Sequence, residues 1–506
     1  MKPYIRTNRP TLGRTPRREG ASTQGHLSTW TRSIVSQQLA EMEKRRIGDR
    51  AADLYTNDAM GHGLLESLIV EAVGIGLTPQ FSPDHEALGM SQAWSDEFSA
   101  GLSRLWGRFG LDARKFCDAQ RRLGIYGLQQ LMYFAWKLTG IGLAQIVRRD
   151  DAIAPTPLCV LPIDPARLVT PSDRPSNRIY DGVEIDDFGA PVNVWLARPE
   201  TMSPFKTSYR AEECRSWPVR DAKTGLPRML LVTGVRNVAE YQQDSILAPM
   251  IDDMRNNRDF VSAALVRAMM SNLFFMFLEN SAAKPAGDDL ASRIVELDKG
   301  TILQGARTEK PHFFNLDNAP DGYRVMFDSI VDRLGMATAR GAENVIRKYQ
   351  ASYSASKASM VKAAQVNSTD HMVLNDNFNQ VLLMWLIYER AVSGALPVPS
   401  MATLPQDLYE LSLCRWLPQP MPEIDRQKRA TAIKTELETH QITYSDVCGE
   451  RGQDWRKHMR QKAIELSYIK GLEAEFGISM AVPDAQQPEA QEPDDKDGTD
   501  KETEDE

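Results

Sequence analysis

The sequence predicts a mainly helical α+β protein, and three observations carry that prediction. Long stretches place apolar residues three or four positions apart, the repeat of a single helix face. From Ile141 to about Val232 the pattern gives way to short β-branched runs separated by turn residues, the mark of strands. With 506 residues the chain is too long for one small core, so two to four packed units are expected. A hydrophobic share of 42% and a charged share of 25% exclude a wholly disordered chain.

Charge is unevenly distributed. Residues 1–50 hold eleven Lys or Arg against four Asp or Glu, and residues 481–506 hold eleven acids against two lysines. A basic arm, a mildly acidic body and an acidic tail lack the basic face of a protein that grips DNA; both ends are expected to be solvated, mobile tails. Five cysteines, at 117, 159, 214, 414 and 448, have no C-x-x-C spacing and suggest free thiols in a reducing cytosol. The apolar runs Leu273–Leu278 and Val381–Tyr388 fall short of the roughly 18 residues of a membrane span and are read as core. No apolar segment follows the basic N-terminus, so no secretory signal is expected.

Taken in order, residues 1–28 lack apolar periodicity and read as an arm. A polar helix is expected from Trp30 to Leu54, then an amphipathic one through Leu64, Leu65, Leu68, Ile69, Ala72 and Val73, closed by Gly74-x-Gly76 with Pro79 beyond. Those glycines follow a helix, whereas a dinucleotide fingerprint follows a strand, so they read as a terminator. A helical region from about Ala93 to Trp136 buries Trp94, Phe98, Leu102, Leu105, Trp106 and Phe109. Strands are expected at residues 144–147, 158–163, 179–185, 192–196 and 229–232. The intervening Asp186-Asp187-Phe188-Gly189 suits a hairpin turn better than a metal site, because no third ligand lies at useful spacing.

A helix of about 30 residues, roughly 45 Å long, is expected from Ile246, with Pro249 near its start. Residues 280–322 interrupt with a loop and two strand candidates, Thr301–Leu303 and His312–Phe314. Tyr323, Phe327, Ile330, Leu334 and Ala337 then mark one face of a second helix, which must pack against something. From Lys348 to Lys357 the chain is rich in serine, which favours a loop or a cap, and Ser352 or Ser354 suits the N-cap of the next helix. That helix carries Met372, Phe378, Val381, Leu382, Trp385 and Leu386 and ends near Ser393-Gly394. A proline-rich link, Trp416–Pro422, precedes helices reaching about Phe476.

Gly341-Ala342-Glu343-Asn344-Val345-Ile346-Arg347-Lys348-Tyr349, followed by Ser352-Tyr353-Ser354-Ala355-Ser356-Lys357, resembles a segment of the portal proteins of tailed bacteriophages, most closely the lambda type. Further segments match in the family's order from about Arg50 to about Ile464: Arg50–Asn57 with Val73–Gly76, Leu161–Leu168 with Asp181–Asp186, and Leu437–Tyr444 with Gly449–Trp455. The resemblance implies a portal fold with wing, stem, clip and crown regions that assembles into a ring, expected to be a dodecamer. On that template the arm is 1–48, the wing 49–245, the first stem helix 246–279, the clip 280–322 and the second stem helix 323–347. The tunnel loop is then 348–357, the long helix and wing–crown link 358–430, the crown helices 431–480 and the acidic disordered tail 481–506. The tunnel loop would present Lys348, Tyr349, Ser352, Tyr353, Ser354 and Lys357 to DNA, and the clip would dock motor or connector through Leu303, Arg307, His312 and Phe313. The implied partners are other copies of the chain, double-stranded DNA without sequence preference, the terminase large subunit, a head–tail connector, and capsid and scaffold proteins, in a virion assembled in the host cytoplasm. No membrane and no cofactor is implied.

Catalytic patterns are scarce. Gly300-Thr301-Ile302-Leu303-Gln304-Gly305 continues with Ala306-Arg307 where a phosphate loop needs Lys and Ser or Thr, which argues against the packaging ATPase and for a strand. There is no H-E-x-x-H and no G-x-S-x-G, and no metal or catalytic residue is assigned. Lys348 and Lys357 suit either transient phosphate contact or ion pairs and caps at helix ends. Two rival readings are a metal-dependent nuclease of the packaging machinery and a monomeric head adaptor or scaffold.

Overall fold

The computed structural model describes residues 37–174, 178–203, 206, 208–238, 240–271, 276–280, 309–313, 320–348, 353–420 and 426–479. Its first element is a polar helix, α1 (Gln37–Asn57), separated by one residue from α2 (Ala59–Ala72). Asp58 makes so tight a turn possible: its carboxylate accepts from the amides of Met60 (3.0 Å) and Gly61 (2.9 Å), donors that have no helical partner. α2 buries Leu64, Leu65, Leu68 and Ala72, the expected stripe, and stops where Gly74 (φ +52°) and Gly76 (φ +113°) turn through backbone space that side chains disfavour. Pro79 does not merely end that helix, for it lies in β1 (Thr78–Phe81).

The helical region expected over 93–136 is two helices, α3 (Gln92–Gly110) and α4 (Ile125–Thr139). Buried Asp118 organises the break between them, its carboxylate accepting from the amides of Gln120 (2.9 Å), Arg122 (2.8 Å) and Leu123 (2.9 Å). The β-rich part follows with β2 (Gly142–Arg148), β3 (Leu158–Ile163), β4 (Ile179–Tyr180), β5 (Val183–Ile185), β6 (Pro191–Ala197), β7 (Cys214–Pro218) and β8 (Met229–Val232). They form two antiparallel sheets, in the orders β3-β2-β8 and β4-β5-β6-β7. Leu143, Ile163 and Met229 of the first join Val194 and Leu196 of the second in one buried cluster. The strands expected from the sequence in this region are present, except that the single run expected over 179–185 is a hairpin of two short strands, turned at Asp181 (φ +49°) and Gly182 (φ +76°). Asp186 makes the β5–β6 turn, its carboxylate accepting from the amides of Phe188 and Ala190, each at 2.8 Å.

Two helix expectations need correction. The helix expected over 246–279 is α5 (Ile251–Ser271), preceded by a short 3-10 turn holding Pro249. Met276–Asn280 is a strand, β9, paired antiparallel with β10 (Glu309–Phe313) in the register Met276↔Phe313 to Asn280↔Glu309. A short apolar run fits either element by periodicity, and here the partner strand supplies the backbone hydrogen bonds. The second helix expected, over 323–347, is broken into α6 (Pro320–Ala337) and α7 (Ala342–Ile346). Beyond them run α8 (Tyr353–Leu374), a five-residue π-turn (Asn375–Asn379) and α9 (Gln380–Val392), without interruption. α10 (Leu404–Ser412) leads to β11 (Cys414–Leu417), which pairs antiparallel with β1, far away in the sequence.

Phe378, Leu382, Leu386 and Ile387 of the π-turn and α9 share one buried cluster with Leu65 and Leu68 of α2 and Leu128 and Met132 of α4. A second unit begins at Pro420, inside the proline-rich link, and holds α11 (Arg426–Glu438), α12 (Tyr444–Glu450) and α13 (Trp455–Phe476). The strand candidate Thr301–Leu303, the Gly300–Gly305 run, the arm as far as residue 36 and the tail lie outside the described residues.

Candidate functional site

The serine-rich segment between α7 and α8 has its two ends held by buried polar groups. α6 ends at Ala337, the Thr338 hydroxyl donates back to the Leu334 carbonyl (2.9 Å), and the chain turns through Ala339 (φ +58°) and Gly341 (φ +82°). A left-handed alanine costs about 1–2 kcal/mol. Its effect is to turn Arg340 inward, where the side chain is 2% exposed.

There Arg340 Nη2 donates to Asp370 Oδ2 (2.8 Å) and, together with Nε, to Asn367 Oδ1 (2.7 and 3.1 Å), both acceptors on α8. Lys137 of α4 donates to the other carboxylate oxygen of Asp370 (2.8 Å) and lies over the Trp136 ring. Tyr133 completes the group by donating to Asp370 Oδ2 (2.7 Å). Burial works to raise the Asp370 pKa, but Lys137 and Arg340 outweigh it and hold the carboxyl below its usual range. Burial pulls Lys137 down to about 8 against the opposing attraction of Asp370, and drives the Tyr133 phenol far up.

α7 is tied to the same frame. Asn344 Nδ2 donates to the Arg340 carbonyl (2.7 Å) and to the Ser359 hydroxyl (2.9 Å) and carbonyl (3.1 Å) on α8. Arg347, left-handed at φ +52°, donates from Nε to the Ser67 hydroxyl of α2 (2.8 Å). His371, one residue past Asp370, places a ring nitrogen 2.5 Å from the Ala72 carbonyl at the end of α2.

Burial lowers the His371 pKa below its usual value, so the folded state favours the neutral ring. The unfolded chain takes up that proton near pH 6.5, so the His371 contribution to stability falls as pH drops through that range. A His371→Gln variant should therefore lose less stability than the parent between about pH 7.5 and 5.5 in denaturant titrations; equal losses would remove His371 from this linkage.

The expected tunnel-loop residues are only partly placed. Lys348 and Lys357 are exposed, one on each flank, and among the described residues neither ammonium has an ion-pair partner. Tyr353 is the first residue of α8, so Ser354 lies within the first turn and is not the cap. Tyr349 and Ser352 are outside the described residues, as are Leu303 and Arg307 of the expected clip. His312 and Phe313 lie in β10, at the fourth and fifth positions of that strand. Arg340, Asp370, Lys137 and Tyr133 escape a reading of the sequence. The one signal there is Lys137, a lone cation in a helix otherwise rich in aromatic and aliphatic residues.

Among the described residues no group of three acids, histidines or cysteines is placed to hold a metal, and no helix is long and apolar enough to cross a membrane. The five cysteines are free thiols. The family model of the lambda-family phage portal proteins matches residues 23–369, more than half of the chain. The chain belongs to the lambda family of phage portal proteins.

This portal chain is thus a structural protein of the virion, with a mainly helical α+β fold. No curated protein matches it. Solved structures similar to it include the following two. One, the virion of a native gene transfer agent particle, is 8% identical, with 83% of this chain and 94% of that one covered and a TM-score of 0.43. The other, the neck of a native gene transfer agent particle computed with C12 symmetry, is 10% identical, with 80% and 93% covered and a TM-score of 0.43.

Proposed function

We propose that the chain is the repeating unit of a ring at one capsid vertex, through which double-stranded DNA is packaged and later ejected. Residues 348–357 face the channel in this reading. The clip, 280–322, meets the terminase large subunit and the head–tail connector, and assembly with capsid and scaffold proteins takes place in the host cytoplasm.

One observation carries the ring beyond family membership. α6 buries Ile330, Val331 and Leu334, and on its opposite side exposes Val325 (71%) and Met336 (74%), three helical turns apart with Ser329 and Asp332 between them. α5 adds Phe260, Leu265 and Val266, all exposed. Neighbouring copies in a ring would cover these exposed apolar side chains.

The proposed channel loop suits passage. A protein that makes six to ten phosphate contacts binds DNA firmly at low salt and loses about 10³–10⁵ in affinity between 50 and 200 mM salt. The serine hydroxyls of residues 348–357 carry no charge, and Lys348 and Lys357 stand singly on the two flanks of the segment.

Negative-stain imaging and native mass spectrometry of purified protein should show closed rings; a monomer under all conditions would contradict the reading. Replacing Ser352, Tyr353 and Ser354 by bulkier residues should leave rings intact and reduce packaged DNA several-fold. Unchanged packaging would remove the loop from the channel.

A further inference from the structure

The first half of α1 is attached unlike the second. From Glu41 to Arg50 no residue is buried; the first are Ala51 (0% exposed) and Leu54 (5%), which join the cluster shared with α2 and α4. What holds the first half is polar, and much of it meets at the β4–β5 turn. Lys44 Nζ donates to Asp181 Oδ2 (2.7 Å) and to the Gln242 carbonyl (2.9 Å). Glu41 Oε1 accepts from the Asp181 amide (3.1 Å) and from the Thr170 hydroxyl (2.5 Å), which in turn accepts from the Gly182 amide (3.0 Å). Arg45 lies 5.9 Å from the centre of the Tyr209 ring. Burial, outweighing the bond from Thr170, holds the Glu41 carboxyl above its usual range, so this attachment is weakened by its own position.

Beside these contacts lies a cavity of about 680 Å³, lined by Glu41, Arg45 and Gly48 of α1 and by Leu138, Ala166 and Leu168. Close-packed interiors seldom leave such a space, and no apolar side chain from Glu41 to Arg50 is buried to tie its walls together. Gly48 stands near the point where the loosely held half meets the packed one. A glycine weakens a helix interior, and here a Cβ would meet nothing within 4 Å, so no crowding calls for it.

We propose that α1 from Gln37 through Gly48 is a latched strap: held at the β4–β5 turn by Lys44 and Glu41, it lets go as one unit while Ala51–Asn57 stays packed. Release opens the cavity. It also adds Lys44, Arg45 and Arg46 to residues 1–36, which already hold seven Lys or Arg against one Glu, and lengthens that segment by about 40 Å at full extension. The inference goes beyond the ring reading and does not need it, because latch, hinge and cavity belong to one chain.

The test is amide hydrogen exchange of the purified full chain, read amide by amide through mass spectrometry with electron-transfer fragmentation. Amides 42–47 should exchange together and at least about tenfold faster than amides 53–56 of the same helix. Asp181→Asn removes the charge that Lys44 meets and keeps a residue type that accepts the left-handed turn at φ +49°. It should speed amides 42–47 about threefold and leave 53–56 unchanged. Gly48→Ala should slow amides 42–47 about threefold or more. Opposite signs from two single changes are not what misfolding gives.

An ordinary frayed end would exchange in a gradient falling from Gln37 inward and would ignore residue 181. That gradient, equal rates in 42–47 and 53–56, an Asp181→Asn protein that matches the parent, or a Gly48→Ala protein no slower than the parent would each overturn the inference. None of these results bears on the ring.

Discussion

Replacing Asp370 by alanine is expected to destabilise the fold by about 3–5 kcal/mol, because among the described residues it is the one carboxylate that Arg340 and Lys137 both touch. The two cations that remain would be 2% and 10% exposed, too deep for water to compensate. Glu71 does not take over, since its nearest oxygen is 3.8 Å from Arg340 and it is itself partly exposed. Asp370→Asn should cost nearly as much, because it keeps the shape but removes the charge and sets an NH2 donor against either Lys137 or the pair Arg340 and Tyr133.

The other members of the group should rank below it for the same reason. Arg340→Met leaves Asp370 paired with Lys137, so the charge still balances, and the loss is of the bonds to Asn367 and Asp370. Lys137→Met leaves the Arg340–Asp370 pair intact and relieves a cation that burial already pulls down to about 8, so its cost should be the smallest.

Acid should expose the same dependence. Asp370 has a folded pKa held below its unfolded value, so its contribution is present above about pH 4 and is lost as pH falls through the lower, folded value. Denaturant midpoints for the four variants, with Asp376→Ala outside the group as the reference, decide the matter. A cost for Asp370→Ala no larger than for Asp376→Ala would show that the group does not hold α8 to α4 and the 338–341 turn.

Local signals in the sequence are legible where one element supplies both pattern and partner. The stripe Leu64–Leu68 and the glycines after it predict α2 and its end, and Asp186 with Gly189 predicts the β5–β6 turn. What escapes depends on residues far apart. Cys414–Leu417 is a strand because Thr78–Phe81 lies beside it, in the register Thr78↔Leu417 to Phe81↔Cys414. Met276–Asn280 takes the ladder offered by Glu309–Phe313 in preference to the helix that its apolar run equally permits. Arg340, set between Ala339 and Gly341, reads as a surface residue until Asn367 and Asp370 arrive from the next long helix. That late partner is also why α6 ends at Ala337, where its own repeat gives no reason to stop.

The sharpest test of that reversal lies in α6 itself, at Gly335. A glycine inside a helix usually invites stabilisation: alanine there gains about 1 kcal/mol in propensity. Gly107, inside α3 with nothing within 4 Å of the place a Cβ would occupy, should follow the rule, and Gly107→Ala should raise stability by about 0.5–1 kcal/mol. Gly335 should do the opposite. A Cβ there would lie 2.3 Å from the Ala342 amide nitrogen and 2.6 Å from the Gly341 carbonyl carbon, and backbone cannot swing aside as a side chain can. Relief requires α7 to move, and α7 carries Asn344 and leads into Arg347, whose bonds to Ser359 and Ser67 fix where the following loop begins. Overpacking of about 1–3 kcal/mol against side chains is a lower bound when backbone is struck, so Gly335→Ala should lose about 2 kcal/mol net and Gly335→Val more. Chemical denaturation of Gly107→Ala and Gly335→Ala beside the parent reads both signs at once. Should Gly335→Ala gain stability as Gly107→Ala does, the close approach of α6 to the start of α7 is wrong, and with it the placement of Lys348 at the mouth of the loop.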